Sequence, residues 1–282
     1  MPTSTVKTLP KATVEITITI PWSDIAPVYE KYESSALGEV EIAGFRKGKA
    51  PKEIALKHLN KTRIYEAVVK DVIPNAYAES VTANKLTPIS SPKIEVSKAK
   101  ENEDWVVIAK IATKPEIHLK DYKEKVRTLK KGKVKIWTPG SKEEKDGKGK
   151  LSVEEIMEAL VSEADVEISD ILIADEANRL LSNLVDQTQQ LGLTVEQYLL
   201  AKGKTSEQIR AEYATQATHN LKIELILSEI ADKENITVTQ KDIDTLVEKV
   251  EKPEEREKLK KESYYLAHLI RQQKTLEFLN TL

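Results

Sequence analysis

Residues 12–20, ATVEITITI, alternate strictly: Ala12, Val14, Ile16, Ile18 and Ile20 fall on one side, Thr13, Glu15, Thr17 and Thr19 on the other. A period of two predicts a strand with one buried face, ended by Pro21. Ile25, Val28, Tyr29, Tyr32 and Leu37 then recur at helical spacing, with Ser23 or Asp24 as the expected cap. Gly38 to Pro51 breaks that stripe and reads as a loop. Pro51 suits the opening of a short helix through Ile54, Ala55 and Leu59. A longer helix is expected over about 62–84, carrying Ile64, Val68, Val72, Ile73, Tyr77 and Val81, with Pro74 kinking or splitting it. Two strands follow, KIEV (93–96) and DWVVIAKIAT (104–113), turned by the polar run at 101–104. Residues 1–115 therefore predict a small α+β domain of order β-α-α-α-β-β.

Residues 116–150 are rich in Lys and Gly and read as a linker, with Ile136 and Trp137 able to join a small strand. From Ser152 to the end the period is helical. Ser152 and Glu155 form an S-x-x-E capping box ahead of Ile156, Ala159 and Leu160. The next stripe, over about 173–191, is Ala177, Leu180, Leu181, Leu184, Val185 and Leu191, with Gly192 placed to stop it. Thr194 starts a short helix that Gly203 ends; Thr205 caps a long one to about Glu234; Thr239 starts another; Pro253 opens the last. Heptads are not sustained, so no coiled coil is expected. The fold class is an α+β domain followed by an all-α, extended multi-helix domain over 151–282.

Composition narrows the chemistry. The 282 residues include no Cys, which excludes disulfides, thiolate nucleophiles and Cys-ligated zinc. His58, His118, His219 and His268 show no metal-ligand spacing. Neither G-x-x-x-x-G-K-[ST] nor G-x-G-x-x-G occurs, and GKGK at 147–150 lacks the following Ser. No enzyme and no cofactor is expected. No signal-like or bilayer-length apolar run occurs, and the expectation is a cytoplasmic protein without a membrane partner. Net charge is +9 over residues 1–150 and −11 over 151–282. A basic half suits a phosphate-rich partner; Lys enrichment on a solvated surface is the plainer alternative.

Within the basic half, residues 44–51 read Gly44-Phe45-Arg46-Lys47-Gly48-Lys49-Ala50-Pro51, followed by Lys52, Lys57, Lys61 and Arg63. Two glycines permit unusual backbone angles, and an aromatic anchor stands beside a planar Arg fork and Lys point charges. By itself such a loop could be a surface turn. Yet every fixed position of G-F-R-x-G-x-x-P is matched, and this stretch resembles the ribosome-binding signature of the trigger factor family. The order of elements around it agrees, PEIHLKDY (115–122) is similar to the family's exit from that domain, and the run from Asp170 to Asp244 is similar to its C-terminal domain. The resemblance covers most of 1–122 and 165–282.

The resemblance implies a nucleotide-independent chaperone. Phe45, Arg46 and Lys47 would contact the large ribosomal subunit, Gly44 and Gly48 would shape the tip, Lys49 and Lys52 would add affinity for ribosomal RNA, and Pro51 belongs to the same ribosome-binding set. Helical arms would cradle unfolded nascent chains. Leu199, Leu200, Tyr213, Tyr264, Tyr265, Leu269 and Phe278 are candidates for lining that cradle, against an ordinary core role for each. One departure is large. Full-length members carry an FKBP-type prolyl isomerase domain between the halves, and such a domain needs on the order of 100 residues. Here 123–164 must serve, with Trp137 its sole aromatic, so no isomerase activity is expected. A ribosome-independent, dimeric adaptor or assembly chaperone, and a residual isomerase, are the other readings.

Overall fold

The structure is a computed structural model that describes residues 2–43, 45–46, 51–133, 151–248, 250, 256–257, 259 and 262–282. It divides into two compact units between Lys114 and Pro115.

The first unit is built on an antiparallel four-stranded sheet of order β1-β2-β4-β3, from β1 (Thr3–Leu9), β2 (Thr13–Ile20), β3 (Lys93–Lys98) and β4 (Trp105–Ala112). The alternation in β2 is realised: Val14, Ile16, Ile18 and Ile20 are buried. They lie opposite Ile111, Ala109, Val107 and Trp105 of β4, all buried too. Directly opposed residues share a face, so these rows form one apolar floor. Helices α1 (Trp22–Glu39) and α3 (Lys61–Ala83) supply the roof through Ile25, Tyr29, Ile64, Val68, Ile73 and Ala76, and the short α2 (Lys52–His58) lies between them in the chain.

Three local expectations are corrected. β1 precedes the expected first strand, so the unit has a second hairpin arm. Neither Ser23 nor Asp24 caps α1; the helix begins one residue after Pro21 without a local side-chain cap. α3 is not split at Pro74, whose side of the helix is exposed. Solvent there can satisfy the carbonyl that Pro leaves without a donor.

The second unit reaches back into the expected linker. β5 (Ile117–His118) pairs with β6 (Asp165–Val166), and α4 (Tyr122–Lys133) packs against α5 (Val153–Glu163). Tyr122 and Val126 are buried with Ile156, Leu160, Ile226, Ile230 and Leu279. Residues 116–133 are therefore part of a core, and the Ile136–Trp137 strand lies outside the described residues. α6 (Asp170–Gln190), α7 (Val195–Lys202) and α8 (Ser206–Lys233) form a second cluster around Leu184, Leu199 and Ile209. α9 (Gln240–Glu248) and α10 (Ser263–Thr281) complete the unit. The expected opening at Pro253 lies outside the described residues.

Caps set these helices. Ser152, Thr194 and Thr205 each form a reciprocal capping box with Glu155, Gln197 and Gln208. Gly192 and Gly203 sit at φ of 71° and 64°, and the Leu193 and Lys204 amides donate back to Thr188 and Leu199 carbonyls. Such left-handed stops favour glycine.

Candidate functional site

The basic loop connects α1 to α2. Val40 ends α1 by leaving helical angles while its amide still donates to the Ala36 carbonyl at 3.1 Å. The Phe45 amide then donates to the Ile42 carbonyl at 3.0 Å, a tight turn that carries Phe45 outward. Its ring is 44% exposed, and Arg46 beside it is exposed. A large aromatic left in water next to a guanidinium fits a contact surface better than a core. Gly44, Lys47, Gly48, Lys49 and Ala50 lie outside the described residues.

Pro51 precedes α2 with φ of −55°, and its carbonyl accepts from the Ile54 and Ala55 amides. Ala55 is buried, which turns Lys52 and Lys57 to solvent. Asn60 then caps α3, its side-chain oxygen accepting from the Arg63 amide at 3.3 Å. Lys61 is tied to Glu101 at 3.1 Å, and that hydrogen bond raises its pKa. Between α1 and the start of α3, a groove of about 360 Å³ is lined by Tyr32, Ala36, Val40, Leu59, Arg63 and Ile64 among others. The described residues offer an exposed aromatic and guanidinium on the connection, exposed lysines on α2 and a fixed cation at the start of α3.

The helical unit separates its candidates. Leu200 and Tyr264 are 81% and 90% exposed, and Tyr265 and Leu269 are also exposed. Leu199 is only 8% exposed and belongs to the α6–α7–α8 cluster. Tyr213 packs partly against that same cluster. Phe278 packs against the α4–α5–α8–α10 core with the Lys123 ammonium over its ring. Leu199, Tyr213 and Phe278 thus take part in packing, Tyr213 and Phe278 while partly exposed. Leu191, expected in the core, is exposed together with Leu193 on either side of Gly192. The available signal was its place directly before the glycine stop, where Leu191 caps the helix instead of continuing its stripe. No helix among the described residues is long and apolar enough to cross a membrane. Among them no group of three or more His, Asp or Glu could hold a metal ion.

Known proteins agree in both units. The sequence profile of bacterial trigger factor protein matches residues 2–139, and that of the bacterial trigger factor C-terminus matches 128–280. The trigger factor of Mycolicibacterium vanbaalenii is 35% identical over 118 residues, 42% of this chain and 25% of the relative. That of Nocardia farcinica is 34% identical over 119 residues, 42% of this chain and 26% of the relative. These alignments span about a quarter of each relative's length. A solved chain, described under promiscuous substrate recognition in folding and assembly activities of the trigger factor chaperone, matches with a TM-score of 0.59 at 15% identity. The match covers 98% of this chain and 99% of that one, and it speaks to the fold. With one profile covering more than half of it and a second covering the rest of its described elements, the chain belongs to the trigger factor family.

Proposed function

We propose that this chain is an ATP-independent cytoplasmic chaperone that docks on the large ribosomal subunit through its Gly44–Lys52 connection and shields nascent polypeptides with its helical unit. One observation carries the docking step. Phe45 and Arg46 stand exposed side by side within an intact G-F-R-x-G-x-x-P match whose sequence also carries Lys47, Lys49 and Lys52. Phe45 would enter an apolar recess, Arg46 would fork onto a carboxylate or phosphate, and Lys47, Lys49 and Lys52 would displace counterions from RNA. Gly44, Gly48 and Pro51 would hold the loop's path. Client contact would fall to Leu200, Tyr264, Tyr265 and Leu269, exposed apolar positions giving weak contacts at several points.

Isomerase activity is not part of this function. The two family profiles overlap at 128–139, which supports direct succession of the docking and helical parts. A proline-isomerisation assay on the chain should read the uncatalysed rate; turnover near that of an FKBP-type domain would refute this point.

Docking is tested by co-sedimentation with large ribosomal subunits at low and moderate salt. The wild type should bind and weaken as salt rises, and Phe45→Ala/Arg46→Ala/Lys47→Ala should lose binding. A wild type that fails to bind at low salt would instead favour a ribosome-independent adaptor.

A further inference from the structure

Helices α4 and α5 run antiparallel, tied at one end by Lys125 Nζ and the Glu163 carboxylate at 3.6 Å. Tyr122 and Val126 of α4 enter the core, and Lys130 donates to the Asn280 carbonyl of α10. A further stripe of α4, Lys125, Leu129 and Gly132, borders a groove of about 540 Å³. The α5 stripe Glu155, Ala159 and Ser162 forms the opposite wall. Each stripe steps by four residues and then three, which on a helix is one face over two turns, about 10 Å long. Leu129, Leu151 and Ala159 make the groove apolar. Leu129 is 37% exposed, and a Cβ at Gly132 would meet no atom within 4 Å, so the groove is open along α4.

The two walls carry opposite charge. α4, YKEKVRTLKKGK, holds six cations and one acid, whereas α5, VEEIMEALVSE, holds four acids and no cation. Glu158, which also borders the groove, is exposed. An apolar floor thus lies between a basic rim and an acidic one.

We propose that this groove seats a short amphipathic helix of a partner protein, with aliphatic side chains at i, i+4 and i+7, acids on the flank over α4 and bases on the flank over α5. Two antiparallel helices receive a third when its ridge of side chains enters the groove between them. An extended segment fits less well, because its side chains alternate every residue while both walls repeat by the turn. Rims of opposite sign favour a helix with one flank of each charge and penalise a helix of uniform charge. They also fix its direction, since turning the helix end for end exchanges the flanks. Two turns bury less than a standard interface, so binding is weak, with dissociation on the order of 100 μM. The seat takes a folded segment and uses no residue assigned to ribosome docking or to nascent-chain contact, so it stands or falls apart from both.

Fluorescence anisotropy tests it, with labelled peptides of about 15 residues, held helical by a staple on the outer face, titrated with the full chain. The probe carries Leu at i, i+4 and i+7, Glu along one flank and Lys along the other. It should bind about tenfold more tightly than peptides with Glu on both flanks or Lys on both. An unstapled probe interrupted by Pro cannot form the helix and should lose binding. Leu129→Glu, at an exposed position, should also lose it. Glu158→Lys reverses charge on the acidic rim, so it should weaken the mixed probe and strengthen the all-Glu peptide, a gain that misfolding cannot imitate. Leu200→Ser/Tyr264→Ser should bind the mixed probe as the wild type does. A wild type that binds no probe at millimolar concentration overturns the proposal. So does equal binding of the three flank patterns, undiminished binding of the Pro peptide, an unchanged preference in Glu158→Lys, or loss of binding in the Leu200/Tyr264 variant.

Discussion

The carboxylate of Asp104, at the turn before β4, accepts a hydrogen bond from the backbone amide of Trp22 at 2.9 Å, across 82 residues of sequence. It thereby occupies the capping place that no side chain next to α1 fills. An uncapped first turn leaves amides without acceptors, and a carboxylate there also faces the positive end of the helix dipole. Asp104→Ala should lower stability by about 1 kcal/mol, with Asp104→Asn losing less, because the amide oxygen can still accept. Urea denaturation of the three proteins checks this. Equal midpoints would mean that solvent caps α1 as well as Asp104 does.

That contact marks the line between what the sequence discloses and what it conceals. Local signals read correctly: the alternation of β2, the Ser152 box, and the stops at Gly192 and Gly203 all depend on neighbours within a few residues. The cap of α1 depends on a turn far along the chain. β1 was invisible because TSTVKTL carries only Val6 and Leu9 as large apolar groups, and it is a strand because β2 offers it a full set of partners. Lys dominates α4, which gives it the composition of a linker; Tyr122 and Val126 suffice because α5, α8 and α10 close over them. At the site, Phe45 is exposed. Leu199 and Leu200 are adjacent residues of one helix and have opposite fates, which no composition argument distinguishes.

The hairpin between β1 and β2 carries a correctable strain. Lys11 and Ala12 both have positive φ, 58° and 49°. A side chain at such angles costs on the order of 1 kcal/mol, and Ala has no polar group to offset it. The Ala12 carbonyl accepts from the Thr113 amide at 2.9 Å and from its hydroxyl at 3.1 Å, so the turn is held in place. Ala12→Gly should stabilise the unit by roughly 0.5 kcal/mol, after the greater entropy of Gly in the unfolded chain is charged against it. A fall in the urea midpoint would show that the strain is absorbed elsewhere.

Trp105 anchors a run of four aromatic rings. Its ring stacks on Tyr65 at 5.9 Å, Tyr65 meets Tyr29 edge-on at 5.6 Å, and Tyr29 tilts against Trp22 at 5.7 Å. Trp105 is fully buried, and its indole N–H donates to the Lys100 carbonyl at 3.1 Å. Trp105→Ala removes the largest side chain of this core and should cost about 3–5 kcal/mol. Trp105→Phe keeps the stacking but drops the donor, and should cost roughly 1–2 kcal/mol. Urea unfolding followed by far-ultraviolet circular dichroism reports both without relying on the lost fluorophore.

Acid should weaken the joint between α9 and α10 through one carboxylate. Asp242 accepts from Lys274 Nζ at 2.7 Å, and from the Thr239 amide and hydroxyl at 2.8 Å each. The Lys274 hydrogen bond first, and then the two Thr239 donors, hold its pKa down at about 2 against an ordinary 3.8. A carboxyl depressed in the folded state stabilises the fold at pH values above its unfolded pKa. That contribution is lost as pH falls from about 4 through about 2. Lys274→Met should therefore be less stable than wild type at neutral pH, and the gap should close across that window, because protonated Asp242 no longer distinguishes the two proteins. Carbon-detected NMR titration of the Asp242 carboxyl should show its midpoint rising in the variant. A stability gap that stayed constant from pH 7 to pH 2 would assign the effect of Lys274 to packing of its methylene stem and not to the ion pair.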